Sequence, residues 1–296
     1  NPNSSDSTSN IISQIQDSRL QVFNYPKANV AINRNLGFSH ASGEFITFLD
    51  ADDLWTPDKL EAQYTALVNN PQAAVAYSWT DCVDENNNFL RKGSRVTWSG
   101  DVYTQLLLDD FIGNGSNVMV LRNAFQATGG FNESLTNAED TDMWIRLGTK
   151  YQFINVNKVQ VLYRVSYYSK SSNILPLEKS NLAVIKTAFA NDKAINYQYL
   201  KKYTIGNLYK YLSYKSLDTL PGKQNTLHAA RFLITAMYTD IPLLTKPIIW
   251  KAWLKLFVMT FLPAQWSEKI LLKFPRISNI STFFSYKKTY YSLFES

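Results

Sequence analysis

The run Phe45-Ile46-Thr47-Phe48-Leu49-Asp50-Ala51-Asp52-Asp53 decides how this chain is read. Its first five residues are mostly apolar, aromatic or β-branched and too few for a helix, which is the pattern of a buried strand. The strand ends on three carboxylates within four positions. Upstream, Asn29 to Ala41 carries Ala31, Ile32, Leu36 and Phe38 at helical spacing and stops near Ser42-Gly43. Downstream, Thr56 as N-cap, Pro57 in the first turn and Asp58 on the helix dipole predict a helix to about Asn69. Ala73 to Thr80 reads as another strand, and Leu20-Gln21-Val22-Phe23 as a short strand ahead of them all. This alternation predicts an α/β domain with a largely parallel sheet. Ligands of such sheets bind beyond the carboxyl ends of the strands, where the aspartates stand.

The chain has 296 residues and a formal net charge of +6, an average that conceals a split. Residues 1–149 hold 9 Lys or Arg against 18 Asp or Glu, a net −9, whereas residues 150–296 hold 21 against 6, a net +15. An acidic half joined to a basic half predicts two regions with different partners. With 45% apolar residues the chain can build a sizeable core, which excludes a disordered tail. A single cysteine, Cys82, excludes a disulfide framework and a multi-cysteine metal site, and two histidines, His40 and His228, argue against a histidine-rich one.

Three neighbouring carboxylates repel one another unless a positive group sits among them. Asp50 and Asp52 suit a hard divalent ion such as Mg²⁺ or Mn²⁺ shared with a phosphate, while Asp53 serves equally well as a cap for the following turn. A second acidic site lies in Ala138-Glu139-Asp140-Thr141-Asp142-Met143-Trp144-Ile145-Arg146-Leu147. Met143, Trp144 and Leu147 mark an amphipathic helix with Glu139 and Asp140 in its first turn. There the helix dipole alone can account for them, or one of them can act as a general base aimed at a substrate hydroxyl. Gly129-Gly130-Phe131, just before, reads as a tight turn.

Together, Asn33-Arg34-Asn35-Leu36-Gly37, Ala41-Ser42-Gly43-Glu44-Phe45-Ile46 and Phe48-Leu49-Asp50-Ala51-Asp52-Asp53 resemble the middle of a family 2 glycosyltransferase. Gly129-Gly130-Phe131 followed by Glu139-Asp140 resembles that family's acceptor-side segment, so the likeness covers about residues 1–165. It implies a GT-A-like fold, a mostly parallel sheet flanked by helices, over residues 1–168, with a basic α-helical region over 169–296. It implies metal-assisted, inverting transfer of a single sugar from a nucleotide-diphosphate sugar to a hydroxyl of a glycan or lipid-linked acceptor. Under the resemblance Asp52 is the direct ligand of Mn²⁺ or Mg²⁺, and Asp50 touches the donor ribose or a metal-bound water. Arg34 and Asn35 line the nucleotide pocket. Asp140 deprotonates the acceptor, Glu139 helps to position it, and Gly129, Gly130 and Trp144 lie on the acceptor side. Asn3-Ser4-Ser5-Asp6-Ser7-Thr8 resembles the tail of the element that follows the family's second strand, which implies that the first strands and helix are missing from this chain. No Gln-x-x-Arg-Trp element of the processive synthases occurs, which favours transfer of one sugar over polymerisation. The implied setting is cell-envelope glycan synthesis in the cytoplasm.

Two rival readings stand beside it. An apolar strand ending in Asp-x-Asp also occurs in haloacid-dehalogenase-like phosphatases, where Asp50 would be the nucleophile and Asp52 the acid/base. Those enzymes want Thr or Val two residues after the second aspartate, and this chain has Leu54. The other reading is a non-catalytic, membrane-associated scaffold of the same fold.

In the basic half, Ser169-Lys170-Ser171-Ser172-Asn173 reads as a linker, and helices are expected around Leu182–Ile185, Tyr199–Tyr214 and Leu227–Tyr238. Lysines interleave with tyrosines, but no nucleic-acid-binding motif accompanies them, and nucleic acid is not an expected partner. The most apolar stretch, Pro247 to Leu262, is too short to span a bilayer and contains Lys251 and Lys255, which four-residue spacing puts on one face. With Trp250 and Trp253 it fits an interfacial helix, beside Lys246, Lys269, Lys273 and Arg276 for anionic lipid, as well as it fits a core helix. The interfacial reading implies a peripheral position at the inner face of a membrane.

Overall fold

A computed structural model describes residues 8–166, 173–218 and 226–289. The family-like tail at Asn3–Ser7 and nearly all of the expected linker, with the 168/169 boundary, lie outside the described residues. The first half runs α1 (Thr8–Ser13), α2 (Val30–His40), β1 (Phe45–Thr47), β2 (Leu54–Trp55), α3 (Lys59–Val68), β3 (Ala73–Val83), β4 (Phe89–Lys92), α4 (Tyr103–Leu108), β5 (Met119–Leu121), α5 (Arg122–Ala127), α6 (Glu139–Gly148) and β6 (Gln152–Arg164). The second half is helical: α7 (Ile174–Phe189), a 3₁₀ segment (Asp192–Leu200), α8 (Lys201–Leu217), α9 (Thr226–Thr239), α10 (Pro247–Phe261), α11 (Ala264–Lys273) and α12 (Pro275–Ser278).

The sheet order is β1-β5-β3-β6-β2, with β4 paired to β3. The expectation of a mostly parallel sheet is corrected here. Among the described residues only β3 and β6 pair in parallel, and β1–β5, β3–β5, β2–β6 and β3–β4 are antiparallel. The reason is an insertion. Since β1 and β3 both run antiparallel to β5, they share one direction, as strand–helix–strand alternation demands, but β5 comes from later in the chain and takes the place between them. The result is a mixed sheet flanked by helices. A second correction concerns Leu20 to Phe23, which form no strand. Leu20, Val22 and Phe23 are exposed, and Phe23 stacks on His40 with ring centroids 3.7 Å apart. A third is that α3 starts at Lys59, with Thr56 Oγ1 donating to Asp58 instead of capping the helix.

Helix α2 begins as the sequence predicts, with Asn29 Oδ1 accepting from the Ile32 N–H at 2.9 Å. An aromatic cluster fixes it over the sheet: Phe38 and Phe48 both pack on Phe125, and Phe131 lies edge-on to Phe48, Phe125 and Trp144. The helical half docks directly behind the site. Thr204 Oγ1 donates to the Leu107 carbonyl at 2.8 Å and Asn207 Nδ2 to that of Leu108 at 3.1 Å. These are carbonyls in the last turn of α4 that the helix itself leaves unpaired. Lys287 closes the same corner on Asp109 at 2.6 Å.

Candidate active site

Arg34 is the centre of the site. Helix α2 turns it inward, 9% exposed, where Nη2 lies 2.6 Å and 2.9 Å from the two Asp50 carboxylate oxygens. Nη1 donates to Glu139 Oε1 at 3.3 Å. One guanidinium therefore joins the carboxylate that ends the β1 segment to one that starts α6. Gly115 permits this approach, because a Cβ there would overlap the Arg34 guanidinium. Burial by itself lowers the Arg34 pKa, but Asp50, Asp140 and Glu139 outweigh it and hold the group above its ordinary value. It is a permanent cation inside an acidic pocket.

The three aspartates after β1 part company. Asp50 faces Arg34 and is fixed from behind by its own N–H, which donates to Ser116 Oγ at 3.0 Å. Asp52 is exposed on the cavity wall, its carbonyl held by Arg164 Nε at 2.8 Å. Asp53 turns away and is buried. It accepts from Ser116 Oγ at 2.7 Å and from the Arg164 N–H at 3.0 Å, so it locks the loop onto β6. Burial pushes its carboxyl up to about 6 against the lowering effect of those bonds.

On the opposite side, Ala138 takes left-handed backbone angles (φ 58, ψ 22), which are uncommon for a residue with a side chain. That turn starts α6 and puts both Glu139 and Asp140 on the cavity wall. Asp110, just past α4, joins them: its Oδ2 accepts from Thr141 Oγ1 at 2.8 Å and its Oδ1 from the Gly113 N–H at 2.9 Å. Burial raises the carboxyls of both Asp110 and Asp140; the Asp140 charge adds to it at Asp110, and at Asp140 Arg34 pulls the other way while Asp50 pushes up. Such a pair shares its protons and titrates as a unit.

These groups line one cavity of about 490 Å³ that also takes in Asn114, Tyr163 and Arg164. The helical half contributes Asn181 of α7, Tyr211 of α8 and Lys287 to the same wall. Asn114 is 3% exposed, and its Oδ1 finds no hydrogen-bond partner among the described residues.

Arg34, Asp50, Asp52, Glu139 and Asp140 thus come together. Four other residues singled out in the sequence stand elsewhere. Asn35 points to the turn after α5, where Nδ2 donates to the Phe131 carbonyl and Oδ1 accepts the Phe131 N–H, each at 2.9 Å. Gly129 and Gly130 have φ of 87° and 71° and build that turn, which Arg146 braces through the carbonyls of Thr128 and Gly130, both at 2.8 Å. Trp144 is fully buried in the core beneath Phe131. None of the four lines the cavity.

Sequence reasoning missed Asp110, Asn114, Ser116, Tyr211 and Lys287. Two signals pointed there: Leu106-Leu107-Leu108 running into Asp109-Asp110 repeats the apolar-to-acidic switch seen at Asp50, and Gly113-Asn114-Gly115 is a loop signature. Tyr211 and Lys287 carried none, since only tertiary docking brings them to the wall. Among the described residues no group of three or more His, Cys, Asp or Glu is arranged to hold a metal ion by itself.

Residues 1–216 match the family model described as glycosyltransferase like family 2. The chain belongs to that family. The phosphatase reading falls with this match. Among curated relatives of this family 2 chain, the chondroitin synthase of Pasteurella multocida (strain Pm70) is 25% identical over 222 residues, 74% of this chain and 22% of the relative. The hyaluronan synthase of Pasteurella multocida is 26% identical over 201 residues, 67% and 20% respectively, so the chain spans about a fifth of the length of these two synthases. An Escherichia coli protein named UDP-Glc:alpha-D-GlcNAc-diphosphoundecaprenol beta-1,3-glucosyltransferase WfgD is 29% identical over 206 residues, 69% of this chain and 78% of the relative. Among solved structures, S. aureus TarS 1-349 in complex with UDP aligns over 95% of this chain and 77% of its own, at 13% identity and a TM-score of 0.43.

Proposed function

We propose that the cavity binds a nucleotide-diphosphate sugar and transfers its sugar to an acceptor hydroxyl with inversion at the anomeric carbon. The observation that carries this reading is the convergence, around Arg34, of Asp50 and Asp52 from the end of β1 with Glu139 and Asp140 from the start of α6. Family membership supports it, as do relatives whose printed names are those of sugar transferases and synthases. WfgD, by its name, uses UDP-Glc and a diphosphoundecaprenol-linked acceptor, which makes a uridine nucleotide and a lipid-linked glycan the first pair to try.

Each residue then has a part. Asp140, its carboxyl raised above the ordinary range by burial, takes the acceptor proton as the oxygen attacks the anomeric carbon. A base is most effective with a pKa near the working pH. The new carbon–oxygen bond forms while the bond to the diphosphate breaks, and the nucleoside diphosphate leaves. Glu139 and Asp50 hold Arg34 in place, and Arg34 keeps their charges from expelling an anionic donor. The donor set fits Mg²⁺ or Mn²⁺: Asp52 and Asp50 are hard oxygen ligands, and such ions bind through one or two carboxylates plus substrate phosphates. When bound, the cation neutralises charge on the leaving diphosphate. The chemistry belongs to the first-half residues, and the helical half supports them by completing the cavity wall with Asn181, Tyr211 and Lys287.

Calorimetric titration of nucleoside diphosphates with Mn²⁺ tests the donor side. Binding is expected for the intact chain and a loss of about tenfold or more for Asp52→Ala. Equal affinity in the two proteins removes Asp52 from the donor site. If the intact chain binds none of the nucleotides, the scaffold reading takes over.

A further inference from the structure

The structure resolves the ambiguity of the Pro247–Leu262 stretch residue by residue. One side of α10 is core: Ile248, Ile249, Ala252, Leu256 and Met259 are buried. Lys255, expected to share a face with Lys251, is 5% exposed and donates from Nζ to the Ser278 carbonyl at 2.8 Å, while Lys251 is half-buried. Trp253 packs inward, with Nε1 against Met237 Sδ. The opposite side carries Trp250, Leu254, Phe257 and Phe261, exposed by 46–69%. Their spacing of four, three and four residues is that of one helical stripe. Trp266 and Leu272 on α11 are likewise open, at 66% and 72%.

A contiguous apolar face of this kind marks an interaction site. Its charge says which. Residues 246–276 hold six Lys or Arg against one acidic residue, Glu268. Lys246, Lys269, Lys273 and Arg276 are exposed, and Lys269 and Lys273 follow Trp266 at helical spacing along α11. Aromatic rings flanked by cations suit the headgroup boundary of an anionic bilayer. A second copy of the chain fits poorly, because lysine is depleted at protein interfaces and two such patches repel each other. A helix of 15 residues is about 22 Å long, short of a roughly 30 Å hydrocarbon core. Among the described residues no helix is long and apolar enough to cross a membrane.

We infer that α10 and α11 form an in-plane anchor that lays Trp250, Leu254, Phe257 and Phe261 into the surface of an anionic membrane, with Lys269, Lys273 and Arg276 on the headgroups. These residues lie outside the cavity, so the inference stands or falls independently of the transfer chemistry.

The test is co-sedimentation of the full chain with phosphatidylcholine vesicles, with and without phosphatidylglycerol, at low and high salt. Binding is expected only with phosphatidylglycerol and should weaken as salt rises. Phe257→Ser/Phe261→Ser should reduce partitioning about tenfold or more, and Lys269→Glu/Lys273→Glu should reduce it by a similar factor while keeping the apolar stripe. Both variants change only exposed residues, and unaltered circular dichroism and melting verify that they fold. A protein that stays in the supernatant at low salt overturns the inference. So does equal binding to neutral vesicles. So does a dimer in light scattering that Phe257→Ser/Phe261→Ser dissolves while vesicle binding is absent, which would assign the face to a second copy.

Discussion

Replacing Arg34 with methionine keeps the length of the side chain and its packing over Phe131, 5.2 Å from the guanidinium carbon, but removes the charge. Asp50, Glu139 and, beyond them, Asp140 then lose the guanidinium charge they share. Breaking a buried pair by removing one partner costs about 3–5 kcal/mol, and an exposed pair is worth about 0–1 kcal/mol. Glu139 belongs near the first case, with its side chain 12% exposed, and Asp50 between the two, at 34%. The expected loss is therefore about 2–3 kcal/mol, or roughly 4–12 °C in melting temperature for a unit of this size. Urea unfolding followed by tryptophan fluorescence at pH 7.5 and low salt measures it. Asp50→Asn in the Arg34→Met background should restore part of the loss, with a coupling of at least about 1 kcal/mol in the double-mutant cycle. An Arg34→Met protein within about 0.5 kcal/mol of the wild type, or strictly additive effects in the cycle, would refute the view that Arg34 compensates these carboxylates.

Two further predictions concern titration. Asp140 adds like-charge repulsion to the burial that raises Asp110, and repulsion between two charges is reciprocal, so Asp110→Asn should move the acid limb of the pH–rate profile to lower pH while leaving donor affinity within about twofold; an unmoved limb removes Asp110 from that role. Lys59 is fully buried against the Trp55 ring with Gln63 Oε1 as its hydrogen-bond acceptor, and burial lowers its pKa to about 7. The unfolded chain therefore binds this proton more tightly between about pH 7 and 10.5, and stability rises with pH across that window. From pH 7 to 9 the wild type should gain up to about 2 kcal/mol relative to Lys59→Met in urea unfolding, and parallel pH curves for the two proteins would contradict this.

Local structure was legible wherever a period or a cap declared it. The α2 boundaries follow from Asn29 and the Ala31–Phe38 spacing, β1 from the apolar run before Asp50, and the start of α6 from Glu139-Asp140. Sheet order was not legible, because β5 reaches its place between β1 and β3 from far along the chain and is only three residues long. Spacing left Asp53 open between ligand and cap, since its burial depends on Ser116 and on the end of β6. Gly130 and Asn35 carried a real signal, but for a braced turn. The α10 lysines show the limit of periodicity most plainly: positions four apart differ by about 40° around the helix, enough to leave Lys251 at the edge of the outer face and send Lys255 inside.

The central claim is that carboxylates from two distant segments form one sugar-transfer site, with Asp140 as its base. Release of nucleoside diphosphate from a panel of nucleotide sugars, with Mn²⁺ and candidate acceptors, tests it most directly when intact chain and Asp140→Asn are compared in parallel. The account predicts acceptor-dependent release by the intact chain and a loss of at least about a hundredfold in Asp140→Asn, with nucleotide binding kept within about twofold. Acceptor-dependent release by Asp140→Asn at the rate of the intact chain would contradict it.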